Sequence, residues 1–506
     1  MNRMKTMDID IVFDALCRKV KEYGYEIYSS LFFGLLAYGY YFTNMLYNHD
    51  SMNKIVLTYN WFYTSGRWGI DLLAYVFPHP TMPWYDGLVS LLLYTLGICM
   101  ISKLFQLRNK YTRILLAAVI ISFPSFCVEY LYIYQAIFYS LAFVLAILSV
   151  YLWANAKSPW WYAVAVFCIV MSLGLYQGLL TVATSLIVVF SIKLVLQGDV
   201  PTQKIFKKGL MGIAVLVTGV VVYFMVTEAV FLIRGNGFNQ YARDAMESTL
   251  PLYRRVLKPF LQMYWDIFTN SDIVVTRFSS FFHVVALLCC GCALVKWLRG
   301  RAWSERFLLS LLLVLFPVSI YFMWFSLSFG NMILVYVGFI SVYVLMAVII
   351  ENVRMCKWLS SVVKIALCCI IFANVRFSNV TAMRTKLLYD HSFSFYTTLV
   401  TQIKSSGMLD GQSKLAVCGN TDQFLYDMKD KFPQWTKYAG SGVNNYSKQR
   451  FIRLLLGFDI PSVSLEEKQE IVSTKEFQAM PIYPYEGSIR KFGDVIVVKL
   501  SDEIKD

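Results

Sequence analysis

The sequence predicts an α-helical polytopic membrane protein of about eleven transmembrane helices with a small C-terminal α/β domain outside the bilayer. Three observations lead there. Hydrophobic residues make up 58% and charged residues 15% of the 506, against roughly 45–50% and 25% in soluble proteins. Apolar runs of about 20 residues recur between Tyr28 and Phe377, with Lys and Arg clustered at alternate ends. After residue 377 the chain turns polar and carries short strand-like runs.

Taken in order, residues 1–26 form a polar, basic N-terminus with Arg3, Lys5, Arg18, Lys19 and Lys21, placed in the cytoplasm as an amphipathic segment. No small-residue cleavage site follows the first apolar run, so Tyr28 to Tyr47 reads as an anchor. It leads outward into a polar loop, residues 48–82. The chain returns at Trp84 and reaches Lys103, Arg108, Lys110 and Arg113. Residues 114–154 are too long for one span and have basic flanks at both ends, which predicts two spans joined outside by a turn from Glu129 to Gln135. Residues 160–196 pose the same problem, and a tight turn near Gly174 to Gly178 solves it. From about Met211 the chain crosses to a second outer loop, residues 233–273, and comes back to Lys296, Arg299, Arg301 and Arg306. Two spans then turn near Ser326 to Asn331. A last span, Ser360 to Phe377, follows Arg354 and Lys357 and leads outward, leaving an odd number of crossings. Residues 27–377 are thus a multi-span domain and 378–506 an extracytoplasmic α/β domain, with strands expected at Leu415-Ala416-Val417 and Val495-Ile496-Val497-Val498.

The net charge of +14 would suggest nucleic acid in a soluble protein. Here about 21 of the 46 cations lie by loops placed inside, so the bias orients the chain and no nucleic-acid partner is expected. Eleven cysteines fall mostly in apolar spans, where they behave as small hydrophobes. With four His and no HExxH, no metal site is expected. There is no GxxxxGK[ST] and no GxGxxG after a strand, so no nucleotide cofactor is expected either. Asp8-Ile9-Asp10 has the DxD form used by nucleotide-sugar transferases, without a surrounding nucleotide-binding domain.

The polar segments collect on the outer side. Asp50, in Asn48-His49-Asp50, is placed to act as general base on a sugar hydroxyl, or as a helix cap or solvated loop acid. Arg67, in Ser65-Gly66-Arg67-Trp68, offers a planar fork suited to phosphate, or an interfacial anchor, and Gly66 permits close backbone approach. Asp71 follows. Glu129, with Tyr130, Tyr132 and Tyr134, is either a sugar subsite or part of an aromatic belt. Tyr176 and Gln177 can bond sugar hydroxyls or hold helices together. Glu228 and the pair Arg254 and Arg255 are further candidates, with a structural role as the alternative for each.

Four stretches in order resemble a known family, the integral-membrane glucosyltransferases that modify bacterial O-antigen and other surface polysaccharides, the Gtr type. They are Asn48-His49-Asp50-Ser51, Ser65-Gly66-Arg67-Trp68, Ser172-Leu173-Gly174-Leu175-Tyr176-Gln177 and, near the end, Met480-Pro481-Ile482-Tyr483-Pro484-Tyr485-Glu486-Gly487-Ser488. The resemblance implies a GT-C type transferase that moves glucose from a polyprenyl phosphate (undecaprenyl phosphate in bacteria) to a surface glycan outside the cytoplasmic membrane. It implies Asp50 as base and basic residues on the donor phosphate; among the residues singled out above, Arg67, Arg254 and Arg255 are the candidates for that phosphate, and Glu129, Tyr130, Tyr176, Gln177, Asp71 and His49 for sugar or acceptor. His49 stands where the family often has a second acid. The implied partners are polyprenyl-phosphate-glucose, the glycan acceptor, membrane lipid, a donor synthase and a donor flippase. A metal is optional, because Arg alone can serve a monophosphate leaving group. The chief rival is a transporter or flippase of lipid-linked sugar or polysaccharide, which usually shows related halves and interrupted midplane helices. Neither is visible here, and a tail of about 129 residues has no use in transport. A glycan-binding scaffold is the third reading, and it predicts that Asp50 can be replaced without effect.

Overall fold

The computed structural model describes residues 9–53, 61–76, 80–247, 251–269, 271, 273–325, 333–421, 432, 443 and 447–502. Asp8 and the predicted turn Ser326 to Asn331 lie outside them. The chain divides into two compact units. One comprises residues 1–43, 59–130 and 135–378; the other comprises residues 44–58, 131–134 and 379–506.

The first unit is helical. It begins with α1 (Ile9–Glu22) and α2 (Gly24–Thr43), then the short α3 (Trp68–Val76) and α4 (Pro83–Phe105). Then come α5 (Lys110–Ile121), α6 (Pro124–Leu131), α7 (Ala136–Ala154), α8 (Pro159–Leu175) and α9 (Leu180–Gln197). The series continues with α10 (Thr202–Arg234), α11 (Gln240–Met246), α12 (Leu252–Thr269), α13 (Arg277–Leu298), α14 (Trp303–Ile320) and α15 (Ile340–Asn352). Last is α16 (Lys357–Ser405), whose first part belongs here. Among the described residues, eight helices are long and apolar enough to cross a membrane, and Pro159–Leu175 and Val337–Asn352 are shorter apolar helices. The protein is a polytopic α-helical membrane protein.

Local chemistry explains the helix ends. Proline, which has no N–H to satisfy, opens α4 and α8. Asn109 caps α5 by accepting from the backbone of Tyr111 and Thr112, and Thr276 caps α13 through Ser279 N. Inside the bundle, the Glu26 carboxylate takes a two-pronged bond from Arg113, with Nε at 2.5 Å and Nη2 at 2.6 Å. Ser102 also donates to Glu26, so α2, α4 and α5 are joined at one buried polar point.

The helices depart from the sequence expectation in three places. The span expected from residue 114 is broken between Ile121 and Pro124, because the proline cannot donate into a continuing helix. Glu129 and Tyr130, expected in the turn, therefore lie in α6 and are buried, and the turn begins only after Leu131. The helix expected from about Met211 already starts at Thr202 and takes in Lys204, Lys207 and Lys208. The last apolar segment, expected to stop at Phe377, continues as one helix to Ser405.

The second unit holds a three-stranded sheet in the order β1-β3-β2, formed by β1 (Lys414–Cys418), β2 (Ile489–Phe492) and β3 (Val495–Lys499). β1 and β3 run parallel, with Leu415 opposite Ile496 and Val417 opposite Val498; β2 is antiparallel to β3. Both faces are covered, which explains the continuous apolar runs. Leu415, Val417, Ile496 and Val498 face a core with Tyr396, Leu399 and Phe451 from the helical segments. Ala416, Cys418, Val495 and Val497 face a second core with Phe477 and Met480. Among the described residues, three short α-helices accompany the sheet, α17 (Lys448–Arg450), α18 (Leu465–Ser473) and α19 (Lys475–Gln478), with a π-helical turn at Phe451–Leu455. Ser464 and Thr474 cap α18 and α19. The Met480 to Ser488 stretch is structural here: Met480 fills one core, Tyr483 fills the other, and Tyr483 N donates to Lys499 O at 2.8 Å.

Candidate functional site

In the first unit the polar residues converge on the turn before α3. Phe62–Ser65 forms a single 3₁₀ turn that ends at Gly66, whose φ of 74° is left-handed. The Asp71 carboxylate, one turn into α3, accepts from Tyr63 N at 2.7 Å and Phe62 N at 3.4 Å, tying the turn to the helix that follows. From the segment that follows α10, Asn239 Nδ2 donates to Ser65 Oγ at 2.9 Å and Asn236 Nδ2 to the Tyr63 hydroxyl at 3.0 Å.

Gly66 is enclosed. Gln177 Nε2 donates to Ser65 O at 2.8 Å and to the Tyr223 hydroxyl at 2.9 Å, and that hydroxyl donates to Gly66 O at 3.0 Å. A Cβ on Gly66 would lie 2.3 Å from the Tyr223 oxygen, so both the backbone angle and the space demand glycine. Next along the chain, Trp68 packs so closely on Gly174 that a Cβ there would meet the indole at 2.7 Å.

This packing fixes Arg67, which is half-buried. Its Nη1 donates to Gln135 Oε1 at 3.1 Å, and its Cζ stands 4.9 Å from the centre of the Tyr176 ring. Tyr176 is in turn held edge-on by Tyr139, with ring centres 4.5 Å apart. Gln135 and Tyr176 are both 3% exposed. A guanidinium seated against an aromatic ring and bonded to a buried amide oxygen is a cation held in a fixed orientation, the chemistry that recognises an anionic group.

The structure thus brings together Arg67, Asp71, Tyr176 and Gln177 from the sequence candidates, and adds Gln135, Tyr223 and Asn239. Gln135 entered the sequence reading only as the end of a turn, and no pattern marks Tyr223 within an apolar helix. Both Gln177 N–H groups are used to hold the Ser65–Gly66 turn, and the Asp71 carboxylate caps that turn.

Glu129 and Tyr130 lie elsewhere in the same unit. Tyr94 donates its hydroxyl to Glu129 Oε2, while Glu129 Oε1 is buried with no hydrogen-bond partner among the described residues. Tyr130 accepts from Ser90 Oγ at 2.9 Å and packs on Tyr38 and Phe42. Arg254 and Arg255 are on α12, where Arg254 is exposed beside the Tyr253 ring and Arg255 is half-buried on the flank. Glu228 is exposed on α10.

Asp50 and His49 belong to the second unit, as do Tyr132 and Tyr134. Asn48 Oδ1 accepts from Ser51 N at 2.8 Å and Ser51 Oγ at 2.9 Å, making a local turn that presents His49 and Asp50 at the surface. On either side, Tyr47 and Met52 are buried in the core that also holds Tyr396 and Leu415. His49 Nε2 stands 3.8 Å from Asp50 Oδ2, and both side chains are more than a third exposed.

A family model, glucosyl transferase GtrII, matches residues 39–347. The chain belongs to the GtrII glucosyl transferase family. The matched stretch contains Asp50, the Ser65–Trp68 turn, Gln135, Tyr176, Gln177 and Tyr223, so the Arg67 cradle is built wholly from the GtrII region. No curated protein and no solved structure matches the chain. This GtrII member is accordingly a membrane-embedded glucosyltransferase.

Proposed function

We propose that the chain transfers glucose from a polyprenyl-phosphate carrier to a bacterial cell-surface polysaccharide on the outer side of the cytoplasmic membrane, as a GT-C type enzyme with its N-terminus inside. The observation that carries this is the preorganised Arg67: a cation seated on Tyr176 and held by Gln135, inside the stretch matched by a glucosyltransferase family. A lipid phosphate is the leaving group that such a cation suits. As the glycosidic bond breaks, charge builds on the phosphate, and a fixed cation stabilises it without reorganising.

In this reading Asp50 is the general base that removes the acceptor hydroxyl proton, and its surface position after the Asn48 turn leaves the carboxylate accessible to a glycan. Asp71 and Gln177 serve by shaping the Ser65–Gly66 turn; His49, Glu129, Tyr130 and Tyr176 remain candidates for sugar or acceptor contact. The donor synthase and flippase act on the opposite face and across the membrane.

The test is transfer of label from polyprenyl-phosphate [14C]glucose to a surface-glycan acceptor by the purified chain, by Asp50→Asn and by Arg67→Ala. Wild-type transfer that both folded variants lose supports the reading. Wild-type protein that fails with several lipid-linked sugars while moving lipid or solute across a vesicle membrane would replace it with transport.

A further inference from the structure

Helix α12, in the second outer segment, is amphipathic the wrong way round for a helix facing water. Its inner side carries the polar anchor. Asp266 is buried and accepts from Gln262 Nε2 at 2.7 Å and from the Tyr321 hydroxyl at 2.5 Å, next to buried Met263 and Ile267. Its outer side carries Leu257, Leu261, Trp265 and Phe268, exposed by 54, 61, 63 and 64% and spaced to form one stripe along the axis. An open groove of about 920 Å³ follows that stripe. At Phe268 and Thr269 it meets a second groove of about 430 Å³, which reaches Arg277 and Ser280 on α13. Ser280 Oγ is buried there and has no hydrogen-bond partner among the described residues.

Charge marks one end of the larger groove. Arg254 and Lys258, one turn apart, line its N-terminal end, and the rest of its lining carries no charge of either sign. We propose that this groove seats the isoprenoid chain of a polyprenyl phosphate, with Arg254 and Lys258 against the phosphate and Leu257, Leu261, Trp265 and Phe268 along the hydrocarbon. The match is one of charge and shape within the larger groove: a linear apolar chain with one anionic head meets an apolar stripe whose cations, Arg254 and Lys258, lie at its N-terminal end, while Arg277 belongs to the smaller groove beyond Phe268. A helix adapted to lie on a bilayer surface carries its cations along the whole polar face instead. From Arg254 to Phe268 the helix rises roughly 21 Å, enough for several isoprene units. The inference rests on the lipid-linked donor of the proposed function and adds where that lipid lies.

The test uses the full chain in detergent with a photoreactive polyprenyl phosphate that carries no sugar, mapping the labelled peptides. Label is expected within 252–269, and unlabelled polyprenyl phosphate should compete while phosphatidylglycerol and inorganic phosphate at equal concentration do not. Arg254→Ala with Lys258→Ala, and separately Leu261→Asp, should each cut labelling by about tenfold or more. All three side chains are exposed, so these variants should elute as the wild type does. Label that falls elsewhere overturns the proposal. Equal competition by phosphatidylglycerol would make α12 a bilayer-lying helix, and equal competition by inorganic phosphate would leave only an anion site. Glucose transfer by the same preparation separates the two ideas: transfer without label on α12 sinks this inference alone, and label on α12 without transfer sinks the transferase reading.

Discussion

Replacing Gln135 by Leu removes the amide oxygen that receives Arg67 Nη1 at 3.1 Å while keeping the buried volume nearly filled. A hydrogen bond to a charged group contributes about 1.5–3 kcal/mol. The Tyr176 ring still faces the guanidinium and contributes about 0.5–2 kcal/mol, so Arg67 is loosened without being released. If the orientation of Arg67 is used to stabilise the departing phosphate, kcat/KM for the lipid donor should fall roughly ten- to a hundredfold. The loss should appear mostly in kcat, because charge on the phosphate grows toward the transition state. The assay is initial-rate transfer from polyprenyl-phosphate [14C]glucose over a range of donor concentrations, with elution profile and thermal stability as controls. Gln135→Glu sharpens the result. A carboxylate would still orient the guanidinium but would neutralise it, so a role in binding the phosphate predicts a larger loss than with Leu, whereas mere positioning predicts recovery. A folded Gln135→Leu protein within twofold of wild type would refute the reasoning.

Three further outcomes follow from the same geometry. Gly66→Ala should destabilise by about 1–2 kcal/mol from the left-handed backbone alone, and by more because its Cβ must displace the Tyr223 hydroxyl; a fall in both melting temperature and transfer checks this. Arg113→Ala should cost about 3–5 kcal/mol by stranding the buried Glu26 carboxylate, whereas Glu26→Leu with Arg113→Met should recover most of it, as read by thermal unfolding in detergent. In the second unit, Lys491 first, then Ser413 and the Gln412 N–H, hold the Asp410 carboxyl down to about 2 from 3.8. Its folded value is the lower one, so its contribution is present above the unfolded value near 3.8 and is lost as pH falls through about 2. Asp410→Asn should therefore be less stable than wild type at neutral pH, with the difference closing below about pH 2.

Local composition alone accounts for the features that could be read along the chain. Apolar runs must become helices in a bilayer because lipid offers their backbone no partners, so hydropathy and flanking cations located the helical segments. Leu415–Val417 and Val495–Val498 were legible as strands for a similar reason, since β-branched and apolar runs mark buried sheet. Even there a local rule failed at Glu129: charge placed it in a turn, but the break at Pro124 let the helix resume and carried the carboxyl inside.

Tertiary structure alone decided the rest, because side-chain function depends on neighbours that are distant in the chain. Gly66 and Tyr223 are far apart in sequence, yet one oxygen of Tyr223 sets the space that makes Gly66 necessary. Gln135 looked like the end of a turn and became the residue that grips Arg67. Asp71 and Gln177, polar and near the site, turned out to spend their hydrogen bonds on the turn that carries Arg67. The Asp50 segment follows the first apolar helix directly in the chain, but Tyr47 and Met52 anchor it in the core of the second unit while His49 and Asp50 stay at the surface. Periodicity and charge report what each segment prefers in its own solvent; which polar atoms meet is set by packing, and no one-dimensional pattern encodes it.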